Sequence, residues 1–341
     1  MDLVNHLEGR LLFAVPKKGR LLQAALNLLE GADIQFKRES RLDIALVRNF
    51  PIALVFLPAS DIPTFVGEGR VDIGITGRDT VAEHESGVLS ARRQRAESGN
   101  LTPTEGDSHE GCEEILDLGF GACKLQVQVP VKGPYIKPSD LIGKNIGTSF
   151  VHLAVDYFAN LEKEAEWQNG ENGENGQNGQ NGTEKPKKLR TNIIELSGSV
   201  EAACALSVAD GIVDLVESGE TMKAAGLQAI DTVHSSVAVL IKSKNPTNPQ
   251  LLNLITSRIR GVITAQKYVV CQYNVSRERL AEAAKVTPGK RAPTVTSLEA
   301  EGWVAVSAMV EKKKIATVMD ELTEIGATDI LVLNIANTRT E

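Results

Sequence analysis

The stretch 214–227, "DLVESGETMKAAGL", concentrates groups that could hold an anionic sugar. An apolar run with a carboxylate on either side of Leu215-Val216 breaks into Ser218-Gly219-Glu220-Thr221, and the spacing predicts a helix from Met222. A glycine lets the backbone approach a ligand closely. Successive amides at a helix start point the same way and favour an anion. The hydroxyls of Ser218 and Thr221 can donate to phosphate oxygens, while Asp214 and Glu217 can accept from ribose hydroxyls. Glu217 to Thr221 thus describe a cradle for a ribose 5-phosphate. A plain strand-to-helix turn capped by Ser or Thr fits the same local pattern.

Two further clusters carry potential chemistry. Lys17-Lys18-Gly19-Arg20 stands between a strand and a helix, where cations oppose the helix dipole; an anion between them and the helix would explain the placement, and so would a solvated charged turn. In Asp72-Ile73-Gly74-Ile75-Thr76-Gly77-Arg78-Asp79, a glycine interrupts a strand pattern and a second one ends it. Glycine inside a strand weakens it and marks close backbone approach, and α/β sheets bind ligands at the carboxyl ends of their strands. The spacing is not that of the dinucleotide fingerprint, and no phosphate-binding G-K-[ST] loop occurs. The five histidines form no H-E-x-x-H motif, and no G-x-S-x-G elbow is present, which disfavours metalloprotease and serine hydrolase chemistry.

The elements that must position these groups alternate. Strands are expected at 10–16, 52–58 and 70–79. Between them lie a helix ended by Gly31 and a short helix with Ser60 or Asp61 as its cap and Pro63 in its first turn. That order argues for a mostly parallel α/β sheet. Residues 84–114 lack a sustained apolar period and read as a long exposed loop or insertion. The strand–turn–helix at 143–166 turns at Thr148-Ser149. The Q/E-N-G repeat over 168–182 cannot bury a core and reads as a disordered spacer. A boundary is expected at the Asn-Pro pairs of 244–249. Beyond it, a helix over 250–266 leads into strand (267–274), helix (276–285), strand (293–298), strand (302–310), helix (312–325) and strand (328–335), the split βαβ order.

With 341 residues, 42% hydrophobic and 24% charged, the chain has the composition of a globular protein of two or three domains. A net charge of −7 without a basic block disfavours duplex nucleic acid. The four cysteines suit neither zinc nor a disulfide framework and read as buried residues of a reducing compartment. The first apolar run is too short for a signal peptide or a membrane span, so the expectation is a cytoplasmic protein.

Taken in order, "LLFAVPKKGRL", "DIP...G..VDIGITGRD", "LGFGACKL", "GTSF", "LSGSVEAA", "DLVESGETMKAAGL" and "RIRGVITAQKY" with "PTV" resemble the long form of ATP phosphoribosyltransferase, from about residue 8 to 337 outside the two loops. The resemblance implies an α/β fold with two lobes like those of periplasmic binding proteins around a catalytic cleft, plus a C-terminal ferredoxin-like (βαββαβ) regulatory domain. The lobes are expected over 1–112, with a strand return near 228–243, and over 113–227, with a loop at 165–188; the regulatory domain is expected over 248–341. It implies transfer of phosphoribosyl from phosphoribosyl pyrophosphate (PRPP) to N1 of ATP, with Mg²⁺, as the first step of histidine biosynthesis. Carried over by position, Glu217, Ser218, Gly219, Glu220 and Thr221 hold the 5-phosphate and ribose, with Asp214 beside the ribose. Lys17, Gly19 and Arg20 face the polyphosphate, and Asp72, Gly74, Thr76 and Gly77 line the nucleotide side. Histidine as feedback inhibitor is expected at Asn274, Ala292, Thr294 and Asp329, where an Asn at 274 offers the histidine amine a weaker bond than Asp would. Dimers assembling into a hexamer are expected. Two rival readings, a type I phosphoribosyltransferase and a binding-protein-type sensor, fit less well: the acids are not adjacent, and the effector tail and both anion loops are present.

Overall fold

A computed structural model describes residues 7–38, 42–97, 111–170 and 189–339. The chain divides into two compact units. The first comprises Met1–Leu22, Ser40–Ile44 and Ile52–Thr247; the second comprises Gln23–Glu39, Ala45–Pro51 and Asn248–Glu341. The break at 247/248 falls inside the Asn-Pro segment.

The first unit holds two sheets. The strands β1 (Leu11–Pro16), β2 (Ile44–Leu46), β3 (Ile52–Leu57), β4 (Ile73–Gly77), β5 (Cys112–Asp117) and β11 (Ala238–Ser243) form one of them, in the order β2-β3-β1-β4-β11-β5. β1 runs parallel to β3 and β4, whereas β11 is antiparallel to β4 and β5. The second sheet contains β6 (Cys123–Pro130), β7 (Asn145–Thr148), β8 (Asn192–Glu195), β9 (Gly211–Val216) and β10 (Leu227–Ser236), in the order β10-β6-β9-β7-β8. Each sheet is the centre of a lobe. β1 and β4 are apolar and buried along nearly their whole length, as strands covered on both faces must be. Ile62 and Val66 of α2 (Ile62–Gly67) pack on the first sheet, and Phe150, Ala154 and Phe158 on the second. The chain passes between the lobes at 118–122 and again at Val237. This is the two-lobed α/β architecture expected from the resemblance.

Two helices of this unit depart from expectation. Residues 84–97 are not loop but belong to α3 (Arg78–Glu97), a twenty-residue helix. Its surface is polar on most sides, so no apolar stripe announces it; its Ala, Arg, Gln and Glu residues favour helix by propensity alone. Residues 98–110 lie outside the described residues. α4 (Val151–Gly170) likewise runs through 165–170, the start of the expected loop; 171–188, with most of the repeat, lie outside the described residues. α5 (Ala202–Ala205) is a single turn, and α6 (Glu220–Ala224) starts two residues before the expected Met222.

In the second unit, α7 (Pro249–Lys267) starts with Asn248 as its cap, the Oδ1 accepting from the Leu251 amide at 3.0 Å. The strands β12 (Tyr268–Ser276), β13 (Thr294–Ser297), β14 (Trp303–Glu311) and β15 (Thr328–Asn334) form an antiparallel sheet in the order β13-β14-β12-β15. With α8 (Leu280–Val286) and α9 (Ile315–Glu324) this is the expected βαββαβ domain. β12 alternates buried and open residues, and Cys271, Tyr273 and Val275 face a core shared with Ala283 of α8 and Leu322 of α9. α8 begins at Leu280, not Ser276: β12 stays paired with β14 through Ser276↔Trp303, and 277–279 are spent turning. α1 (Leu22–Gly31) belongs mostly to this unit, where Arg258 reaches the Ala32 carbonyl and Asp33, each at 3.3 Å. Cys112, Cys123 and Cys271 are buried, Cys204 is half-buried, and all are free thiols. Among the described residues, no helix is long and apolar enough to cross a membrane.

Candidate active site

β9 delivers the 214–221 segment to the carboxyl end of the second sheet. Gly219 adopts φ 77°, a left-handed conformation that glycine reaches without strain, and the Lys223 amide closes the turn on its carbonyl at 3.0 Å. Ser218 Oγ accepts from the Glu220 amide at 3.4 Å. Gly219 offers α6 no side-chain cap, so beyond the Glu220 amide that Ser218 Oγ takes, the first-turn amides of this five-residue helix have no partners within the helix, and the Ser218 and Thr221 side chains beside them are exposed. The helix is too short for a strong dipole; individual N–H groups are what the turn offers. Asp214 lies behind it, its Oδ1 accepting from the Leu215 amide at 2.8 Å. Burial pushes the Asp214 carboxyl above its ordinary value, the Leu215 amide opposes that, and nearby Glu201 adds to it. A carboxylate in this state gains from any hydroxyl donors a ligand brings.

Arg20 faces this loop from the other lobe. Its Nη1 donates to the Gly121 carbonyl at 2.5 Å and reaches Glu217 Oε1 at 3.4 Å; its Nη2 lies 3.1 Å from Cys123 Sγ and 3.8 Å from Asp79 Oδ2. Gly121, with φ 65°, admits this approach: a Cβ there would lie 2.4 Å from Leu21 and 3.2 Å from Arg20 Nη1. Lys18, Gly19, Arg20, Gly77, Phe150 and Leu215 share the wall of a cavity of about 150 Å³ between the lobes. A larger one of about 530 Å³, with Glu217, Cys123, Arg78 and Ser236 on its wall, lies beside Arg20's partners.

The structure thus brings together Gly19, Arg20, Gly77 and Glu217 around one cleft, while Asp214 and Ser218 to Thr221 belong to the same strand-to-helix turn but line neither cavity. It does not bring the other expected residues there. Lys17 pairs with Asp43 at 2.6 Å on the surface, and Lys18 takes the cleft position. The Asp72 carboxylate accepts from the Leu12 amide at 2.8 Å and the Thr247 amide at 2.6 Å, at the end of β4 away from Gly77. Gly74 makes room for packing, since a Cβ would lie 2.6 Å from Ile62 Cγ2 and 3.2 Å from Val66. Thr76 is buried behind the cavity, donating to the Ala59 carbonyl at 2.7 Å. In the second unit, Asn274 Nδ2 donates to Asp329 Oδ2 at 2.9 Å, so an Asn rather than an Asp at 274 suits its acidic neighbour. Ala292 and Thr294 line a separate open groove with Arg260, Lys290, Arg291 and Arg339.

Three residues at the cleft escaped the sequence reading. Asp79 and Ser236 are buried beside Arg20. Glu83, on α3, accepts from the amides of His152 at 2.8 Å and Leu153 at 2.9 Å, and so caps α4 across the two lobes. Asp79 stands within a motif that the sequence did single out. Ser236 and Glu83 carry no local signal.

Comparison with known families places the chain in one of them. The profile of the family ATP phosphoribosyltransferase matches residues 58–261, and that of its C-terminal domain matches 265–337. The chain belongs to the ATP phosphoribosyltransferase family. The ATP phosphoribosyltransferase of Yarrowia lipolytica is 55% identical over 339 residues, 99% of this chain and 100% of the relative. That of Saccharomyces cerevisiae is 52% identical over 340 residues, with the same coverage. A solved structure, the ATP phosphoribosyl transferase (HisG:HisZ) complex from Thermotoga maritima, matches with a TM-score of 0.52 at 21% identity, over 75% of this chain and 98% of that one; it attests the fold alone. The chain is therefore a pentosyltransferase of the first step of histidine biosynthesis.

Proposed function

We propose that this ATP phosphoribosyltransferase joins PRPP to ATP in the cleft between its two lobes. The 5-phosphate rests on the amides and hydroxyls of Ser218 to Thr221, with Glu220 at the turn's edge. The ribose hydroxyls donate to Asp214 and Glu217, and the diphosphate lies toward Lys18, Gly19 and Arg20. The ATP adenine enters past Gly77. The N1 lone pair attacks C1, the C1–O bond breaks with its electrons leaving on pyrophosphate, and the adduct sheds a proton from its exocyclic nitrogen. Cationic character builds at C1 while anionic charge collects on the leaving group, so positioning and fixed charge supply the rate. The observation that supports this reading is the Arg20–Glu217 contact at 3.4 Å, which sets two segments far apart in sequence face to face across one cleft.

Among the described residues, no group of three Asp, Glu, His or Cys side chains could hold a metal ion. In our reading Mg²⁺, which needs few protein ligands, is carried by pyrophosphate and its own waters. Bound so, Mg²⁺ would neutralise the leaving group. Asn274, Ala292, Thr294 and Asp329 are our assignment for histidine as a feedback inhibitor, within a cytoplasmic enzyme assembled from dimers into a hexamer. The test is to incubate the purified protein with ATP, PRPP and Mg²⁺ and follow the adduct's ultraviolet absorbance, with and without histidine. Appearance of the adduct, lost or slowed in Thr221→Val through a higher KM for PRPP, is expected. Unchanged PRPP affinity in that variant overturns the cradle, and insensitivity to histidine overturns the effector assignment.

A further inference from the structure

Asp79 is a carboxylate that the cleft has hidden. It is 1% exposed, in a place where an ionised group without a partner is costly. Its surroundings fix it in one orientation. Ser236 Oγ donates to Oδ1 at 2.6 Å, and the Asp79 amide donates back to Ser236 Oγ at 2.9 Å, closing a small ring. The side chain folds over Gly77, where a Cβ would lie 2.0 Å from Oδ1; any other residue at 77 would evict it. Oδ2 is left facing Arg20 Nη2 at 3.8 Å. Arg20 is itself held by the Gly121 carbonyl and 23% exposed, so the guanidinium has a buried edge toward Asp79 and an open edge toward the cleft. Glu217, the carboxylate on that open edge, is half-exposed and solvent-screened, and can leave. Asp79 cannot.

We propose that Asp79, locked by Ser236, is a positioning residue for the transfer: it holds the Arg20 guanidinium with its free donors aimed at the diphosphate of PRPP. The proposal rests on the assignment of Arg20 to the diphosphate made above. A charge balance supports the division of labour. One cation between two carboxylates repels an anionic ligand, so Glu217 must let go of Arg20 when PRPP arrives, and the ribose hydroxyls are what it turns to. Asp79 meanwhile keeps the guanidinium from following either the substrate or Glu217 out of register. Its single negative charge is the fixed part of the device, and Ser236, at the chain's second passage between lobes, fixes where that charge sits.

The test uses Asp79→Asn, Ser236→Ala, Arg20→Ala and the double variant Asp79→Asn/Arg20→Ala in the full chain, with KM for each substrate, kcat and melting temperature. Asp79→Asn keeps the shape and the bond from Ser236 but removes the charge. We expect its KM for PRPP to rise about tenfold and kcat to fall, with KM for ATP within about twofold of the parent. Ser236→Ala, which leaves the charge in place but unlocks it, should raise KM for PRPP about threefold and serves if Asp79→Asn does not fold. The double variant should be no worse than Arg20→Ala alone, because Asp79 acts through Arg20. Folded Asp79→Asn and Ser236→Ala with parental KM for PRPP overturn the proposal, as does a double variant whose losses multiply. If Arg20→Ala itself binds PRPP normally, the diphosphate assignment has failed, a result distinct from a failure of Asp79 alone.

Discussion

Replacing Glu83 by Gln asks what holds the two lobes together. Glu83 stands on α3 in the first lobe, and both its carboxylate oxygens are engaged by α4 in the second, at 2.8 Å to the His152 amide and 2.9 Å to the Leu153 amide. Ser86 and Asp156 bond one turn further along the same pair of helices. A hydrogen bond to a charged group contributes about 1.5–3 kcal/mol, and a negative charge at a helix N-terminus about 0.3–1 kcal/mol more. The glutamine keeps one acceptor oxygen, so one amide stays bonded, more weakly, and the other turns to solvent. The net loss is about 1.5 kcal/mol, one factor of ten in an equilibrium. Because the partners lie on opposite lobes, that loss falls on lobe closure. Substrate binding must then supply it, and the apparent KM for both substrates rises up to about tenfold while kcat, which reports the closed complex, changes little. Steady-state kinetics gives the split, and small-angle scattering of the free protein should show a larger radius of gyration. A variant with lowered melting temperature but parental KM values would refute the reasoning, placing the cap in the folding of the unit and not in its closure.

Three other outcomes are expected. Asp214→Asn should raise the melting temperature at neutral pH while weakening PRPP binding at least tenfold. Burial lifts the folded-state pKa of Asp214 above the ordinary 3.8, so its contribution to stability falls as pH climbs through that interval and the ionised form is carried at a cost above it; a lower melting temperature in the variant would contradict this. Glu162 accepts from the amides of Arg190 and Thr191 and from the Thr191 hydroxyl, at 3.0, 2.8 and 2.7 Å. Burial pushes its carboxyl up, but the three bonds outweigh burial and hold it below 4.5, so its stabilisation is present above pH 4.5 and is lost as pH falls through the depressed value. Glu162→Gln should cost about 2–3 kcal/mol at pH 7 by urea denaturation, with the difference shrinking in acid; a pH-independent difference would count against it. Deleting 171–182 should leave kcat and melting temperature near parental, because a polar Gly-Asn repeat adds no core, and a large drop in either would show otherwise.

The strand-to-helix turn that we propose as the phosphate cradle was legible because its parts are local: a glycine, two hydroxyls and three acids within eight residues at a strand end. The C-terminal domain was legible because β12 and β14 alternate strictly and its helices are amphipathic. α3 was not, because a helix held by charged contacts with a neighbour needs no apolar stripe. Gly74 was misleading for a related reason. A glycine inside a strand signals close approach, but the approaching group is Ile62 and not a ligand. Asp72 and Asp79 flank the same strand and look alike in sequence. Only the strand's direction, which puts one at each end, separates a carboxylate that pins backbone amides from one that faces the cleft.

Ser236 pairs with Cys123 in the ladder between β10 and β6, so the second lobe begins and ends at adjacent positions of one sheet. Topologically it is a cassette threaded into the first lobe, with its own apolar interior around Phe150 and Phe158. Cut at 122 and 237, it should fold as an autonomous fragment whose ends already meet, and it could be exchanged whole between relatives without disturbing the strand order of its host.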